Sequence, residues 1–416
     1  MKRKKKKIVK SQMLSLKGKI EKYLTKEDYY DLFNKAKASL NISKMDYKGT
    51  YIFARLIGKN FIAATELDFS SSYEYGKVDL VNLETLTKSL EENTSLTKLN
   101  FSKNNICEKG LTYFASIIAK NKTITNLDLS LNNNCSFTGS KPSGLDAIGL
   151  SLKDNKTLVN LNLSYINLRT AGTEKIVKGL KDNSSITNLN LSTNFIWDEG
   201  AEYIKDLLSQ NKTLTSLDLS ANGFTDTGIS KIAEGLVENE VLTTLDLSLN
   251  HITDQGIETI LNYLESNRTL TKLDLSDNEI GNKGAKLILS FIEKHMTVYV
   301  EIAHNNNISE YFSKAIIFKN SYNKKLTDSS ETAQAKTVIK EDKEKYKLKT
   351  QTKFLKTIKE EREEEELTCQ IGTNKEEREE VAVTFHVGTN KNIFLAENEF
   401  HLGLSGLYET ELPDLI

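Results

Sequence analysis

Residues 211–228 read NKTLTSLDLSANGFTDTG, with leucines at 214, 217 and 219 and an asparagine at 222. Successive copies of this pattern are 28 residues apart, except for one step of 34, and degenerate copies flank the series at Leu67 and Val300. The central leucine of the pattern recurs at Leu99, Leu127, Leu161, Leu189, Leu217, Leu245 and Leu273. A repeat of this length predicts stacked structural units, about nine of them, that share a continuous core.

The second half of each unit predicts a helix. Gly228 is followed by apolar residues at Ile229, Ile232 and Leu236, and the unit that contains Gly256 repeats this spacing. Apolar residues at these intervals lie on one face of a helix. An asparagine such as Asn211 recurs near the end of the helices, and we expect it to close them because asparagine tolerates the left-handed conformation. Each unit is therefore predicted to be a short strand, a turn and a helix.

The segment LTSLDLSANGF, residues 214–224, and its copies are close to L-x-x-L-x-L-x-x-N-x-L. This pattern resembles the leucine-rich repeat family, and the 28-residue period is similar to its ribonuclease-inhibitor-like subtype. The resemblance covers about 260 residues and implies an α/β leucine-rich repeat solenoid, or horseshoe, with parallel strands on the concave face and helices on the convex face. One unit departs from the pattern because Ile166 occupies the asparagine position and Asn167 follows it, so we expect a local change in that turn.

Composition shifts along the chain predict five regions. We expect a basic N-terminal tail and helical cap in residues 1–50, about nine repeats in 51–308, a C-terminal capping helix in 309–325, a charged linker or helix in 326–380, and a short C-terminal segment in 381–416. The KRKKKK run at the start is either a solvated tail or a targeting signal. The long step between units contains NNNCSFTGSKPSG, which is typical of a surface loop.

The last residue of each predicted strand forms a polar row on the concave face. Its members are Asn100, Asp128, Asn162, Asn190, Asp218, Asp246, Asp274 and Glu301. Four carboxylates occupy consecutive strands, and like charges about 5 Å apart repel by roughly 1 kcal/mol per pair in water. A cationic ligand would relieve this repulsion. The alternative is that small polar residues only keep the sheet face hydrated.

We therefore predict that the concave face binds a partner through these strands and the residues beside them. The candidate partner-binding residues are Ser216, Asp218, Ser220, Thr244, Asp246, Ser248, Lys272, Asp274, Ser276, Tyr299 and Glu301. Trp197 has two alternatives: it packs against the neighbouring helix, which we favour, or it is an exposed binding hot spot.

Other functional classes find little support in the sequence. None of the 5 His residues has metal-ligand spacing, and no nucleophile elbow or phosphate-binding loop occurs in a strand-to-helix setting. We expect no catalytic residues, no metal and no cofactor, and the chain is predicted not to be an enzyme. The net charge of −1 does not favour a nucleic-acid partner. No apolar run is long enough to predict a membrane span.

The sequence thus predicts a protein–protein interaction scaffold, acting as a monomer with a protein partner of basic character. The alternative is a regulator of an enzyme in trans, such as a small-GTPase activator or an enzyme inhibitor. The 3 Cys residues without C-x-x-C pairing favour a reducing compartment, so a cytoplasmic location is expected. EEREEEE, residues 360–366, resembles the Glu-rich block of bacterial translocated effectors, which would place the chain in a host cell.

Overall fold

The computed structural model describes residues 31, 35, 37–39, 47–62, 64–70, 80–132 and 144–329. All of them belong to the first of two compact units, Met1–Thr337, and the second unit is Val338–Ile416. The KRKKKK run, most of the long-step loop, the EEREEEE block and the predicted C-terminal segment 381–416 lie outside the described residues.

Short strands alternate with helices throughout the described part of the chain. The strands are β1 (Lys37–Ser39), β2 (Glu66–Asp68), β3 (Lys98–Asn100), β4 (Asn126–Asp128), β5 (Asn160–Asn162), β6 (Asn188–Asn190), β7 (Ser216–Asp218), β8 (Thr244–Asp246), β9 (Lys272–Asp274) and β10 (Tyr299–Glu301). The helices are α1 (Tyr47–Gly58), α2 (Leu80–Glu91), α3 (Glu108–Lys120), α4 (Gly144–Asp154), α5 (Arg169–Leu180), α6 (Trp197–Gln210), α7 (Asp226–Val237), α8 (Asp254–Leu264), α9 (Asn282–Lys294) and α10 (Glu310–Ser329).

The ten strands form one parallel sheet in sequence order, with every strand in register with the next. Leu217 pairs with Leu189 on one side and with Leu245 on the other. These central leucines are buried together with Leu219 and the apolar helix residues, such as Ile232. The expected α/β solenoid is therefore confirmed, and its core lies between the sheet and the helices.

The sheet starts earlier than the repeat pattern indicates. β1 lies within residues 1–50, which the sequence predicts to be a tail and a helical cap, so the sheet has ten strands where about nine units were expected. Its central residue is Ala38, which is 4% exposed and pairs with Leu67. An alanine in place of the repeated leucine hid this strand. The last described helix, α10, runs from Glu310 to Ser329.

A ladder of buried asparagines holds the turns after the strands. The Nδ2 atom of Asn222 donates to the carbonyls of Leu191 and Leu219, both at 3.0 Å, and its Oδ1 atom accepts from the N–H of Asn194. The same position is occupied by Asn104, Asn132, Asn194, Asn222, Asn250, Asn278 and Asn305. Each amide therefore satisfies main-chain groups of two adjacent units that would otherwise be buried without partners.

Ile166 interrupts this ladder without changing the course of the backbone. The preceding residue, Tyr165, has φ of 53°, and the matching Thr193 has φ of 55°. Ile166 is fully buried, and its N–H donates to the Oδ1 atom of Asn194 at 3.0 Å. The local change predicted from the sequence thus affects side-chain hydrogen bonding rather than the turn itself.

A second ladder corrects the role predicted for the asparagines at the helix ends. Asn211 has φ of −72° and ψ of 130°, which is extended rather than left-handed. Its Nδ2 atom donates to the carbonyl of Leu180 at 2.7 Å, and its Oδ1 atom accepts from the N–H of Leu214 at 2.7 Å. Equivalent bonds are made by Asn93, Asn121, Asn155, Asn183, Asn239 and Asn267. These hydrogen bonds explain why the asparagine recurs with the repeat.

Candidate functional site

The sheet face opposite the helices carries two rows of side chains, because successive residues of a strand point to opposite sides. The entry row, formed by the first residue of each strand, is Lys37, Glu66, Lys98, Asn126, Asn160, Asn188, Ser216, Thr244, Lys272 and Tyr299. The exit row, formed by the last residue of each strand from β2 to β10, is Asp68, Asn100, Asp128, Asn162, Asn190, Asp218, Asp246, Asp274 and Glu301.

The Asp and Asn side chains of the exit row, on β2 to β9, close the turn that follows each of these strands. The Oδ1 atom of Asp218 accepts the N–H of Ser220 at 3.0 Å and the hydroxyl of Ser220 at 2.7 Å. Asn190 accepts the N–H of Ser192 through Oδ1 at 2.8 Å in the same way. Such turns are made equally by asparagine and aspartate. The second terminal atom, Oδ2 of aspartate or Nδ2 of asparagine, remains outside this turn bond.

The structure brings the predicted partner-binding residues together on four adjacent strands, β7 to β10, and on the turns that follow β7, β8 and β9. Asp218 pairs with Asp246, and Asp246 pairs with Asp274, so the carboxylates form a continuous line that continues to Glu301. Burial raises the pKa of Asp246, the charges of Asp218 and Asp274 raise it further, and hydrogen bonds from Ser248 lower it. The mutual repulsion that the sequence predicts is therefore one of the causes that raise the pKa of Asp246.

Ion pairing distinguishes the two ends of the sheet. At β1 to β3 the carboxylate of Glu66 contacts both Lys37 and Lys98, at 3.0 and 2.9 Å. Within the described ranges, no ion pair involves Asp218, Asp246 or Asp274. The carboxylate line therefore keeps its negative charge uncompensated by this part of the chain.

The serines that follow the strands support the aspartates. The hydroxyls of Ser220, Ser248 and Ser276 donate to the Oδ1 atoms of the aspartates two residues earlier, at 2.6 to 2.7 Å. Ser276 is also buried. These three hydroxyls are occupied within the turn, which makes them supports of the carboxylates rather than outward contacts.

Tyr299 and Glu301 form the last pair of the line. The Tyr299 hydroxyl donates to Oε2 of Glu301 at 2.6 Å, and the ring is 36% exposed. This hydrogen bond, together with burial and the negative charges of Glu301 and Asp274, raises the pKa of Tyr299 to about 12. Lys272, in the adjacent entry-row position, is exposed.

A groove of about 820 Å³ lies over β1 to β7, where only Ser216 and Asp218 of the predicted partner-binding residues contribute to its lining. Its central part is lined by carboxamides. These belong to Asn100, Asn126, Asn160, Asn162, Asn188 and Asn190. The entry-row members of this set were not predicted as site residues from the sequence, although the same alternation that defines the exit row points to them.

An exposed aromatic pair lies at the turn that follows β6. The rings of Phe195 and Trp197 have centroids 6.2 Å apart, and Trp197 is 46% exposed. The Trp197 ring covers Gly223 so closely that a Cβ atom there would overlap it. The ring therefore packs on the next turn, where the sequence favoured packing on a helix, and about half of it remains exposed. Phe195 was not identified from the sequence.

Two further observations concern the described part of the chain only. None of its helices is long and apolar enough to cross a membrane. No group of three or more His, Cys, Asp or Glu side chains within it is arranged to hold a metal ion.

Comparison with known proteins matches the family described as Leucine Rich repeat over residues 92–115, 210–233, 238–261 and 266–289. A search of curated proteins finds no match. Among solved structures, the chain is similar to the leucine-rich repeat-containing protein LegL7 from Legionella pneumophila, with 16% identity, a TM-score of 0.41, and coverage of 68% of this chain and 97% of that one.

Two other solved structures are also similar to the chain. The structure of Leiomodin-1 Actin-Binding Site 2 is 21% identical, with a TM-score of 0.34 and coverage of 39% of this chain and 95% of that one. The tropomodulin C-terminal domain of Caenorhabditis elegans is 12% identical, with a TM-score of 0.31 and coverage of 44% and 95%.

Each matched range contains one strand and the start of the helix that follows it, such as β7 and α7 in residues 210–233. The matches therefore coincide with the observed structural units. Because the repeat motif, the in-register parallel strands and the asparagine ladder agree, the described part of the chain is a solenoid built from leucine-rich repeats.

Proposed function

We propose that this leucine-rich repeat protein is an interaction scaffold that binds a basic protein partner through the sheet face of β7 to β10. Repeat proteins of this kind use the sheet side as an extended binding surface. The observation that carries the proposal is the line of four carboxylates on β7 to β10. Three of them, Asp218, Asp246 and Asp274, have no ion-pair partner in the described ranges.

The negative charge of this line is not required by the fold. Asn190 makes the same turn bond to Ser192 that Asp218 makes to Ser220. Neutral asparagine would close the turn without the burial of a charge and the repulsion from Asp218 and Asp274 that together raise the pKa of Asp246. Lysine or arginine side chains of a partner would neutralise the line and remove that repulsion on binding. The arrangement therefore favours a cationic partner surface.

The other predicted residues have distinct positions around this line. Ser216, Thr244, Lys272 and Tyr299 form the entry-row edge, about two residues along the strands from the carboxylates. We infer that the exposed part of the Tyr299 ring contributes apolar contact area. Lys272 would repel any partner that presents a cationic group opposite it. The same proposal places the chain in the cytoplasm as a monomer, with no cofactor and no catalytic step.

Quantitative affinity capture tests this function. The native chain is compared with a variant carrying Asp218→Asn, Asp246→Asn and Asp274→Asn, which keeps the turn bonds and removes three charges. A matched control removes three charges elsewhere through Glu199→Gln, Glu240→Gln and Glu293→Gln, all exposed and outside the sheet face. The proposal predicts that proteins captured by the native chain and the control are depleted at least about tenfold with the aspartate variant.

Equal capture by all three chains would disprove the proposal. A captured enzyme would also allow the alternative, regulation in trans, to be measured directly. Its activity would change on addition of the native chain and would not change on addition of the aspartate variant.

A further inference from the structure

The groove over β1 to β7 is lined mainly by neutral amides in its middle, by Asp218 at its β7 end, and by Asp31, Glu66 and Asp68 at its β1 end. On β3 to β6 the two rows contain six asparagines, and Asp128 is the one acidic side chain among them. Two of the amides donate within the floor: Nδ2 of Asn188 to Oδ1 of Asn160 at 2.6 Å, and Nδ2 of Asn162 to Oδ2 of Asp128 at 3.2 Å.

Four other amides keep a donor that is not used by the described residues. They are Asn100, Asn126, Asn160 and Asn190, and all four are half-buried. The Oδ1 atoms of Asn100 and Asn190 accept the N–H of the serine two residues later, at 2.9 and 2.8 Å. Oδ1 of Asn126 accepts the hydroxyl of Thr125 at 2.8 Å. These bonds hold the amides in one orientation and leave the Nδ2 groups for the groove.

The choice of Asn or Asp in the exit row therefore decides whether the strand presents a hydrogen-bond donor or an acceptor to the groove, while the turn bond stays the same. Asparagine and aspartate share the turn bond through Oδ1, so the choice between them changes only the outward atom. Asn190 presents an N–H donor to the groove, whereas Asp218, on the next strand, presents an acceptor. The surface therefore changes from donors on β3 to β6 to anionic acceptors on β7 to β10.

We propose that this surface binds an extended polypeptide segment that runs across the strands, with its main-chain carbonyls accepting from the amides on β3 to β6 and its basic side chains on the carboxylates of β7 to β10. The inference rests on the proposed function for its basic end. It adds a neutral end, which is recognised through the main chain rather than through side-chain pockets.

The lining selects this class of ligand. An anionic ligand is disfavoured because Asp128 and Asp218 lie in the groove while Lys98 is paired with Glu66. No aromatic side chain contributes to the lining, so the groove offers no platform on which a sugar ring could stack. Peptide carbonyls are neutral acceptors that match the free N–H groups.

The dimensions are compatible with a short segment. Neighbouring strands are roughly 4.8 Å apart, so β3 to β6 span about 14 Å. An extended chain advances about 3.3 Å per residue, which places about four residues over the amides. Four to six further residues would then cover the carboxylate line.

Fluorescence anisotropy with the full chain and defined peptides tests the inference. The short probe is labelled tetralysine, and the long probes add six alternating Ser and Thr residues before or after the four lysines. Because the added hydrogen bonds outweigh the cost of ordering the peptide, one long probe should bind about tenfold more tightly than tetralysine.

Two variants remove the amide donors by different routes. The first carries Asn126→Val and Asn160→Val, which removes both donors and keeps the branched shape that β8 has at the same position in Thr244. The second carries Asn100→Asp and Asn190→Asp, which keeps the turn bonds. The affinity ratio of long to short probe is compared within each variant, so added charge cancels. Asn262→Val, exposed on α8, is the control.

The inference predicts that the tenfold ratio is retained in the control and falls to near one in both variants. A ratio near one in the native chain that still binds tetralysine would overturn the inference and leave the proposed function intact. A ratio retained in both variants would also overturn it, because the neutral residues would then bind elsewhere. Failure of all probes to bind the native chain would overturn both proposals.

Discussion

The Oδ1 atom of Asp246 accepts two hydrogen bonds from Ser248, one from its N–H at 2.9 Å and one from its hydroxyl at 2.6 Å. The residue thus has a structural role, closing the turn after β8. Its negative charge lies between those of Asp218 and Asp274, on the two neighbouring strands. The turn requires the Oδ1 acceptor, whereas the charge opposes folding.

The first prediction follows from this conflict: Asp246→Asn should stabilise the chain at about pH 7. Each like-charge neighbour costs roughly 1 kcal/mol in water, and loss of the charged acceptor offsets part of the gain, so we expect about 1 kcal/mol. Burial and the neighbouring carboxylates raise the pKa of Asp246 in the folded chain. The contribution of the Asp246 carboxyl to the free energy of unfolding is therefore fully present below its unfolded pKa and is lost as pH rises through its folded pKa.

Urea unfolding at about pH 7 and about pH 3 checks this prediction. The gain from Asp246→Asn should be present at the higher pH and absent at the lower one, while Glu240→Gln on the exposed surface should change little at either. A less stable variant at neutral pH would show that the charge contributes to the fold.

The second prediction concerns the turn ladder. Asn222→Ala removes the donor to the carbonyls of Leu191 and Leu219 and the acceptor for the N–H of Asn194. Each buried main-chain group left without a partner costs about 1–3 kcal/mol, so we expect a loss of about 3–5 kcal/mol in unfolding free energy. Urea titration measures this loss, and Asn262→Ala on the exposed face of α8 serves as the control. A loss in unfolding free energy below about 1 kcal/mol would mean that water replaces the hydrogen bonds that the Asn222 amide makes.

The third prediction concerns alkaline stability. The hydrogen bond to Glu301, burial and nearby negative charges raise the pKa of Tyr299 from 10 to about 12. A raised folded pKa contributes stability that is fully present below the unfolded pKa of about 10 and is lost as pH rises towards 12. Unfolding free energies of the native chain and Tyr299→Phe, measured at about pH 9 and pH 11.5, should therefore converge at the higher pH. An unchanged difference would exclude the hydrogen-bonded phenol as its source.

The repeat spacing predicted most of the fold because one leucine per unit must enter a shared core. The central positions of β2 to β10, from Leu67 to Val300, are all strand centres in the structure. β1 was missed because Ala38 carries too little apolar surface to stand out. The role of Asn211 was predicted wrongly because the residue type indicates only which backbone conformations an asparagine tolerates. Its actual role is set by a hydrogen bond to Leu180, which belongs to the preceding unit.

The surface was predicted less completely than the fold. Strand alternation identifies the exit row, including Asp218, without knowledge of its contacts. Which terminal atom an Asn or Asp presents to the groove depends on which atom the turn uses. The hydrogen bond from Ser220 to Oδ1 of Asp218, which decides this, is visible only in three dimensions. The exposed pair of Phe195 and Trp197 likewise depends on left-handed backbone at both residues, with φ of 54° and 56°.

Site-specific photo-crosslinking tests the central claim most directly. A photo-reactive residue replaces Thr244, which lies on the sheet face beside Asp246, and in a second chain it replaces Glu240, which is exposed just before β8 and outside that face. The account predicts that a basic partner is crosslinked at position 244, that position 240 yields none, and that adding Asp218→Asn, Asp246→Asn and Asp274→Asn abolishes the product. Crosslinking at position 240 but not at 244, or a product that survives removal of the three charges, would contradict it.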